Sequence, residues 1–265
     1  MERYRISFIG AGKVASSLST ELKAKGHIIQ QIISPGREKG SSLAKLCDAE
    51  WSDSFDLSND TDIIIVAVRD SSLSSVLNSI RCRPETVVVH TAGSYGLDIF
   101  PSSLKRCGVF YPLQTFSEGR KIDFTGIPVF TETTDHETDQ LLKNLAESLG
   151  CLAVPSDTGH RSLLHVAAVF VSNFTNYMLT SGEQISIRAG FPPAMLRPLI
   201  NETVRKAIEQ GPSKSQTGPA VRFDFNTIEK HLNLLSFSPE LQTVYEEISR
   251  SIMNFYKQLG QDEQF

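Results

Sequence analysis

The chain has 265 residues, 40 % of them hydrophobic, with 17 glycines, which excludes disordered and fibrous classes and suffices for one large domain or two unequal ones. Lys and Arg number 26 against 30 Asp and Glu, a net charge of −4, which argues against nucleic-acid binding and against a polybasic membrane patch. The longest aliphatic runs, Ile63 to Val68 and Val166 to Val171, fall far short of the ~20 residues of a spanning helix. The first residues lack the apolar core of a signal peptide, and Cys47, Cys82, Cys107 and Cys151 are scattered without a C-x-x-C pair, so free thiols in the cytoplasm are expected.

Arg5 to Ile9 reads as a short strand and Val14 to Lys25 as a helix closed by Gly26, a common residue just past a helix end. Ile28 to Ile33 is a second strand, followed by a turn at Ser34, Pro35 and Gly36. The aliphatic run Asp62 to Val68 suits a strand buried on both faces of a parallel sheet, and Thr86 to His90 is another. Cys107 to Tyr111 and Ile127 to Thr131 are weaker strands, and His136 to Leu149 is a helix ended by Gly150. This alternation predicts an α/β Rossmann-type, doubly wound parallel sheet.

The character changes near Pro155, beyond which every pattern is helical. Helices are expected from about Gly159 to Ser181, from Pro193 to Gln210, after a capping box at Asn226 and Glu229, and from Pro239 to about Leu259. The expected division is a cofactor domain over 1–155 and an all-α domain over 156–265.

Gly10-Ala11-Gly12-Lys13-Val14-Ala15 fits G-x-G-x-x-[GA] directly after a strand and at the opening of a helix. In that context the pattern predicts a dinucleotide site: a tight turn at Gly10, close pyrophosphate approach at Gly12, and helix N-terminal amides aimed at the phosphates. An NAD site carries Asp or Glu after the second strand, for the ribose 2′-hydroxyl. Here Ser34 and Arg37 stand there, with Lys39 close by, and a hydroxyl and a guanidinium suit a 2′-phosphate, so NADP is the expected cofactor.

Ligands of open α/β sheets lie beyond the carboxyl ends of the strands. Ala67-Val68-Arg69, His90-Thr91-Ala92-Gly93 and Tyr111 through Gln114 occupy three such ends. The first two stretches are candidate cofactor contacts and Tyr111 and Gln114 candidate substrate contacts. A buried histidine bonded within its own loop is an equal reading of His90.

Residues 160–180 are mostly apolar but carry His165, Ser172, Asn173 and Asn176. At about 100° per residue, Ser172 and Asn176 fall within about 20° of the His165 direction and Asn173 about 80° away, a polar stripe on a helix expected to be buried on most sides. His165 is the candidate proton donor, Ser172 and Asn173 orient the substrate, and Asn176 touches it. His160 and His165 are badly spaced for a metal, and none is expected. The segment Thr217 to Asp224 is either a connector or a means of bringing Thr217 and Arg222 to the substrate.

Those stretches (Phe8 to Ala15, Ala67 to Asp70, His90 to Gly93, Tyr111 to Phe116, His165 to Asn173 and Thr217 to Asp224) together resemble a family of two-domain proteins. These join a Rossmann-like NADP-binding domain to a helical domain of uncharacterised function. They are related to pyrroline-5-carboxylate reductase and to the 6-phosphogluconate dehydrogenase-like oxidoreductases. The resemblance implies NADP binding, a 6-phosphogluconate dehydrogenase C-terminal-like helical domain, and a homodimer formed through it. The lysine that β-hydroxyacid dehydrogenases place four residues before an Asn is here Val169, and a Gly usual in the last motif is here Phe223. The expected activity is hydride transfer between NADP and a small carbonyl or imine. The rival readings are a non-catalytic NADP-binding sensor or scaffold and a deazaflavin-linked NADP reductase.

Overall fold

The computed structural model describes residues 2–262. Strand β1 (Arg5–Ile9) leads into α1 (Lys13–Ala24), β2 (Ile28–Ile33), α2 (Arg37–Cys47) and the short β3 (Glu50–Ser52). Then come β4 (Ile63–Val66), α3 (Asp70–Ser79), β5 (Val87–His90), β6 (Arg106–Pro112), β7 (Pro128–Thr133), α4 (His136–Ser148) and β8 (Leu152–Pro155). The eight strands form one sheet in the order β3-β2-β1-β4-β5-β6-β7-β8. Of these pairings only β6–β7 is antiparallel, so the chain forms a Rossmann-like sheet whose last two strands, β7 and β8, run opposite to the other six.

Continuous aliphatic strands make sense here, because both faces of the sheet are covered. Ile63, Ile64, Ile65 and Val66 of β4 are all buried. Ile6, Phe8, Ile63 and Ile65 pack on one face with Leu18 and Leu22 of α1 and Leu142 and Leu145 of α4. Ile9, Ile64 and Val66 pack on the other with Leu73 and Leu77 of α3. Each such side chain contributes about 1.5–3 kcal/mol on leaving water.

Helix α5 (Thr158–Ala168) follows β8, and a π-helical segment (Val169–Phe174) joins it to α6 (Thr175–Arg188). The single regular helix expected here is thus interrupted. A π segment bonds i to i+5, so a constant 100° step does not carry from His165 to Asn176. The expected burial of this helix is also not met: Leu163, Phe170 and Val171 are 73 %, 62 % and 75 % exposed in the single chain. After a 3₁₀ turn at Pro193–Leu196 come α7 (Arg197–Gln210), α8 (Pro212–Ser215), α9 (Phe225–Leu234) and α10 (Pro239–Asp262). The cap of α9 is Asp224, whose carboxylate accepts from the Thr227 amide at 3.1 Å, and not the expected Asn226.

The chain forms two compact units, 1–173 and 174–265. Secondary structure turns wholly helical after Pro155, as expected, but α5 keeps company with the sheet. The tie is polar: Arg161 on α5 bonds Glu132 of β7 at 2.7 Å and the Tyr95 carbonyl at 2.5 Å. Among the described residues no helix is long and apolar enough to cross a membrane.

Candidate active site

The phosphate loop forms as its glycines require. Gly10 has φ +115°, and its amide donates to Ile33 O at 2.8 Å. A Cβ there would lie 2.2 Å from the Ala67 carbonyl oxygen, so β1 and β4 approach too closely for any side chain. Gly12 differs: its φ is −81°, and a Cβ would meet nothing within 4 Å. It precedes α1, whose first turn has no side-chain cap. An uncapped helix N-terminus beside open space is what a pyrophosphate needs. A cavity of about 750 Å³ opens at Ala11, Gly12 and Lys13 and also takes in Lys39, Arg120 and Lys121. Val14 packs against the core of the sheet.

The end of β2 holds the two residues expected at a 2′-phosphate. Ser34 is 5 % exposed and accepts from the Trp51 indole at 3.3 Å. Arg37 opens α2 with its guanidinium 5.7 Å from the Trp51 ring centre, an aromatic seat that the sequence reading missed. Lys39 lies 3.4 Å from Glu118 in an exposed ion pair. Glu38, the next residue of α2, lines the cavity at the phosphate loop together with Lys39.

At the end of β4, Ala67 is buried, Val68 half-buried and Arg69 exposed. At the end of β5, His90 is fully enclosed and stacks on Phe100. Its Nδ1 accepts from the Ala92 amide at 3.2 Å, and its Nε2 lies 3.4 Å from the Gly96 carbonyl. Burial lowers its pKa to about 4, so it is a neutral ring that shapes the loop Thr91-Ala92-Gly93.

Beyond this loop three candidates converge. The Tyr111 hydroxyl, at the end of β6, is 2.9 Å from Nδ1 of His165, and the rings meet edge to face. Gly93 sits against both: a Cβ would stand 2.9 Å from His165 Nδ1 and 3.0 Å from Tyr111 Cζ. Tyr111 is 9 % exposed, and burial raises its pKa. His165 is half-buried on the more open side of the pair.

The residue that sets α5 against this loop escaped the sequence reading. Arg161 lies one helical turn before His165, is wholly buried, and clamps Glu132 and the Tyr95 carbonyl. Its Nε has no hydrogen-bond partner among the described residues. The i, i+4 spacing to His165 is the one signal that pointed to it.

The remaining candidates have settings of their own. Gln114 is exposed, and its side-chain oxygen accepts from the Thr115 amide. Ser172 is half-buried and Asn173 exposed in the π segment. Asn176 belongs to the helical unit and is exposed. Within that unit Thr217 lines an apolar cavity of about 240 Å³ with Pro219 and Tyr245, and exposed Arg222 adds charge stabilisation to Asp224.

Comparison with known proteins agrees with this fold. The family described as "NADP oxidoreductase coenzyme F420-dependent" matches residues 5–93, and "Domain of unknown function (DUF2520)" matches residues 127–252. No curated protein is significantly similar in sequence. A Bacteroides fragilis protein whose structure is described as a "putative NADP oxidoreductase" is 38 % identical, covering 95 % of this chain and 98 % of its own at a TM-score of 0.90. The pyrroline-5-carboxylate reductase of Streptococcus pyogenes shares the fold at 15 % identity, 95 % and 99 % coverage and a TM-score of 0.61. An imine reductase of Myxococcus stipitatus in complex with NADP+ does so at 16 %, 97 % and 94 %, with a TM-score of 0.64. The chain therefore belongs to the family that joins an NADP-oxidoreductase Rossmann-like domain to a DUF2520 region, the family of the Bacteroides fragilis protein.

Proposed function

We propose that this protein is an NADP-dependent oxidoreductase acting on a small carbonyl or imine. The observation that carries the reading is the Tyr111–His165 pair, held against Gly93 at the strand ends of a sheet that also presents an uncapped phosphate loop. Gly10, Ala11, Gly12, Lys13 and Val14 would hold the pyrophosphate; Ser34 and Arg37 would read the 2′-phosphate. Ala67, Val68, Arg69, Thr91, Ala92 and Gly93 would line the nicotinamide end. When bound, the cofactor supplies or accepts a hydride. His165 holds the proton that the substrate heteroatom takes up, with Ser172 and Asn173 orienting the substrate. The active form is a homodimer in the cytoplasm. In the helical unit Met195, Leu199 and Ile208 are 64 %, 65 % and 78 % exposed, and a second copy is the partner that the family resemblance implies for this unit.

Calorimetry with NADPH and NADH, and a panel of small oxo compounds and cyclic imines followed by NADPH absorbance, test this. Tighter NADPH binding and consumption of at least one substrate are expected. Equal or tighter NADH binding overturns the cofactor assignment, and no consumption across the panel overturns the activity.

A further inference from the structure

We infer that the Tyr111–His165 pair is built for a substrate that must be given a proton, a small ketone, aldehyde or oxo acid, and not for a preformed iminium cation. This rests on the oxidoreductase reading above and narrows it.

The geometry assigns the two ring nitrogens different tasks. Nδ1 of His165 is held by the Tyr111 hydroxyl at 2.9 Å. That hydroxyl is buried, burial alone shifts it upward, and no carboxylate acts on it. It keeps its own proton and serves as a neutral partner. Gly93, with no Cβ, lets the two rings lie this close, and anything larger would push them apart. The ring cannot exchange its nitrogens without losing that bond, so Nε2 is the position left to face a substrate.

The proton balance then separates the two substrate classes. Were the cofactor bound to supply hydride, its addition to a carbonyl carbon would form a C–H bond and move the C=O π pair onto oxygen. That oxygen needs a proton. An imidazolium at 165 gives it from Nε2, the N–H pair stays on nitrogen, and the neutral ring keeps Nδ1–H on the Tyr111 oxygen. Hydride addition to an iminium sends the π pair to a positively charged nitrogen that already carries all its substituents. The product amine is neutral and no proton is required. Such a cation calls for a nearby carboxylate. Two carboxylates close to α5 are occupied: Glu132 accepts from Arg161 at 2.7 Å and from Thr158 at 2.9 Å, and Asp157, the cap of α5, accepts from the His160 amide at 2.9 Å.

The test uses the full chain with NADPH and three probes: cyclopentanone, pyruvate and N-methyl-1-pyrrolinium, an iminium charged at every pH. A carbonyl probe is expected to turn over faster than N-methyl-1-pyrrolinium by at least about tenfold in kcat/KM. Tyr111→Phe is expected to lower kcat on that carbonyl by about 10- to 100-fold with KM nearly unchanged, since it acts through His165. Nitrogen-15 NMR of the histidine rings, without cofactor, gives a reading independent of turnover: Tyr111→Phe should move the Nδ1 resonance of His165 and leave Nε2 nearly in place. A preference for N-methyl-1-pyrrolinium overturns the inference and leaves the oxidoreductase reading standing. So does bound NADPH with neither carbonyl reduced, or a His165 spectrum indifferent to Tyr111→Phe. Failure to bind NADPH at all overturns both.

Discussion

The guanidinium of Arg161 lies 2.7 Å from the Glu132 carboxylate, and no part of the Arg161 side chain reaches water, while 19 % of the Glu132 side chain does. The pair joins α5 to β7, and the second Arg161 nitrogen reaches the Tyr95 carbonyl in the loop after β5. It therefore fixes the distance between the helix that carries His165 and the loop that carries Gly93. Removing one member of a buried pair leaves the other charge unpaired. Arg161→Leu should destabilise the fold by about 3 kcal/mol, the low end of that class because Glu132 keeps some solvent. Adding Glu132→Leu should recover part of the loss. Urea unfolding midpoints of the wild type and the two variants check both statements.

The two glycines of the phosphate loop should behave in opposite ways on mutation to Ala. At Gly10 the new methyl would sit 2.2 Å from the Ala67 carbonyl oxygen, at φ +115°. Backbone would have to move, and the variant should fold poorly. At Gly12 the space is open and φ is ordinary. Gly12→Ala should keep its melting temperature within a few degrees and still bind NADPH at least about tenfold more weakly, because the methyl occupies room meant for phosphate. Thermal melts beside NADPH titrations separate the two effects.

Gly93→Ala addresses the reactive pair. The methyl would press on His165 Nδ1 and Tyr111 Cζ at 2.9 and 3.0 Å, contacts relieved by turning the rings apart. We expect a stability loss of about 1–3 kcal/mol, the usual effect of overpacking, and a larger loss of NADPH consumption than of NADPH binding. A crystal structure of the variant with the 2.9 Å bond intact would refute the steric argument.

How much of this was legible beforehand depends on what each feature requires. The sheet followed from runs such as Ile63 to Val66, because strands buried on both faces need nothing but aliphatic residues. The phosphate loop followed from the strand–glycine–helix order at Gly10 and Gly12. Helices α2 and α3 and strands β3 and β8 were missed: Arg37 to Cys47 and Asp70 to Ser79 are rich in polar residues, and the two strands are only three and four residues long. The π segment had no signature at all: nothing in Val169 to Phe174 announces a wider turn. Tyr111 and His165 were each singled out, but their contact spans 54 residues and depends on Arg161 and Glu132, which periodicity does not connect.

His90 makes stability depend on pH. Burial lowers its pKa from 6.5 to about 4, with smaller effects from the Gly96 carbonyl and Asp98 (raising) and Arg161 (lowering). The unfolded chain therefore takes up the proton first. The contribution is fully present above pH 6.5 and is lost as pH falls toward about 4, amounting to about 3 kcal/mol over that window. His90→Asn, whose side-chain oxygen can still accept from the Ala92 amide, should be less stable at pH 7 yet lose less on acidification. Urea midpoints at pH 7 and pH 4.5 compare the two slopes, and parallel slopes would refute the assignment to His90.

Phe223 adopts a conformation that favours glycine, φ +54°. The turn around it is well bonded: its amide donates to Ala220 O at 3.2 Å, and the Asp224 amide to Pro219 O at 3.0 Å. The loop thus holds a left-handed residue in place against a penalty of about 1–2 kcal/mol for an L side chain. With 40 % of Phe223 exposed, the ring recovers only part of its burial energy. The usual ranking of small residues should therefore invert. Ala keeps the strain and loses the ring, whereas Gly loses the ring and the strain together. Phe223→Gly should be more stable than Phe223→Ala by about 0.5–1 kcal/mol, the reverse of the order seen within helices and strands. Denaturation midpoints of the two variants decide the point, and an alanine variant more stable than the glycine one would show that the backbone relaxes out of the left-handed region.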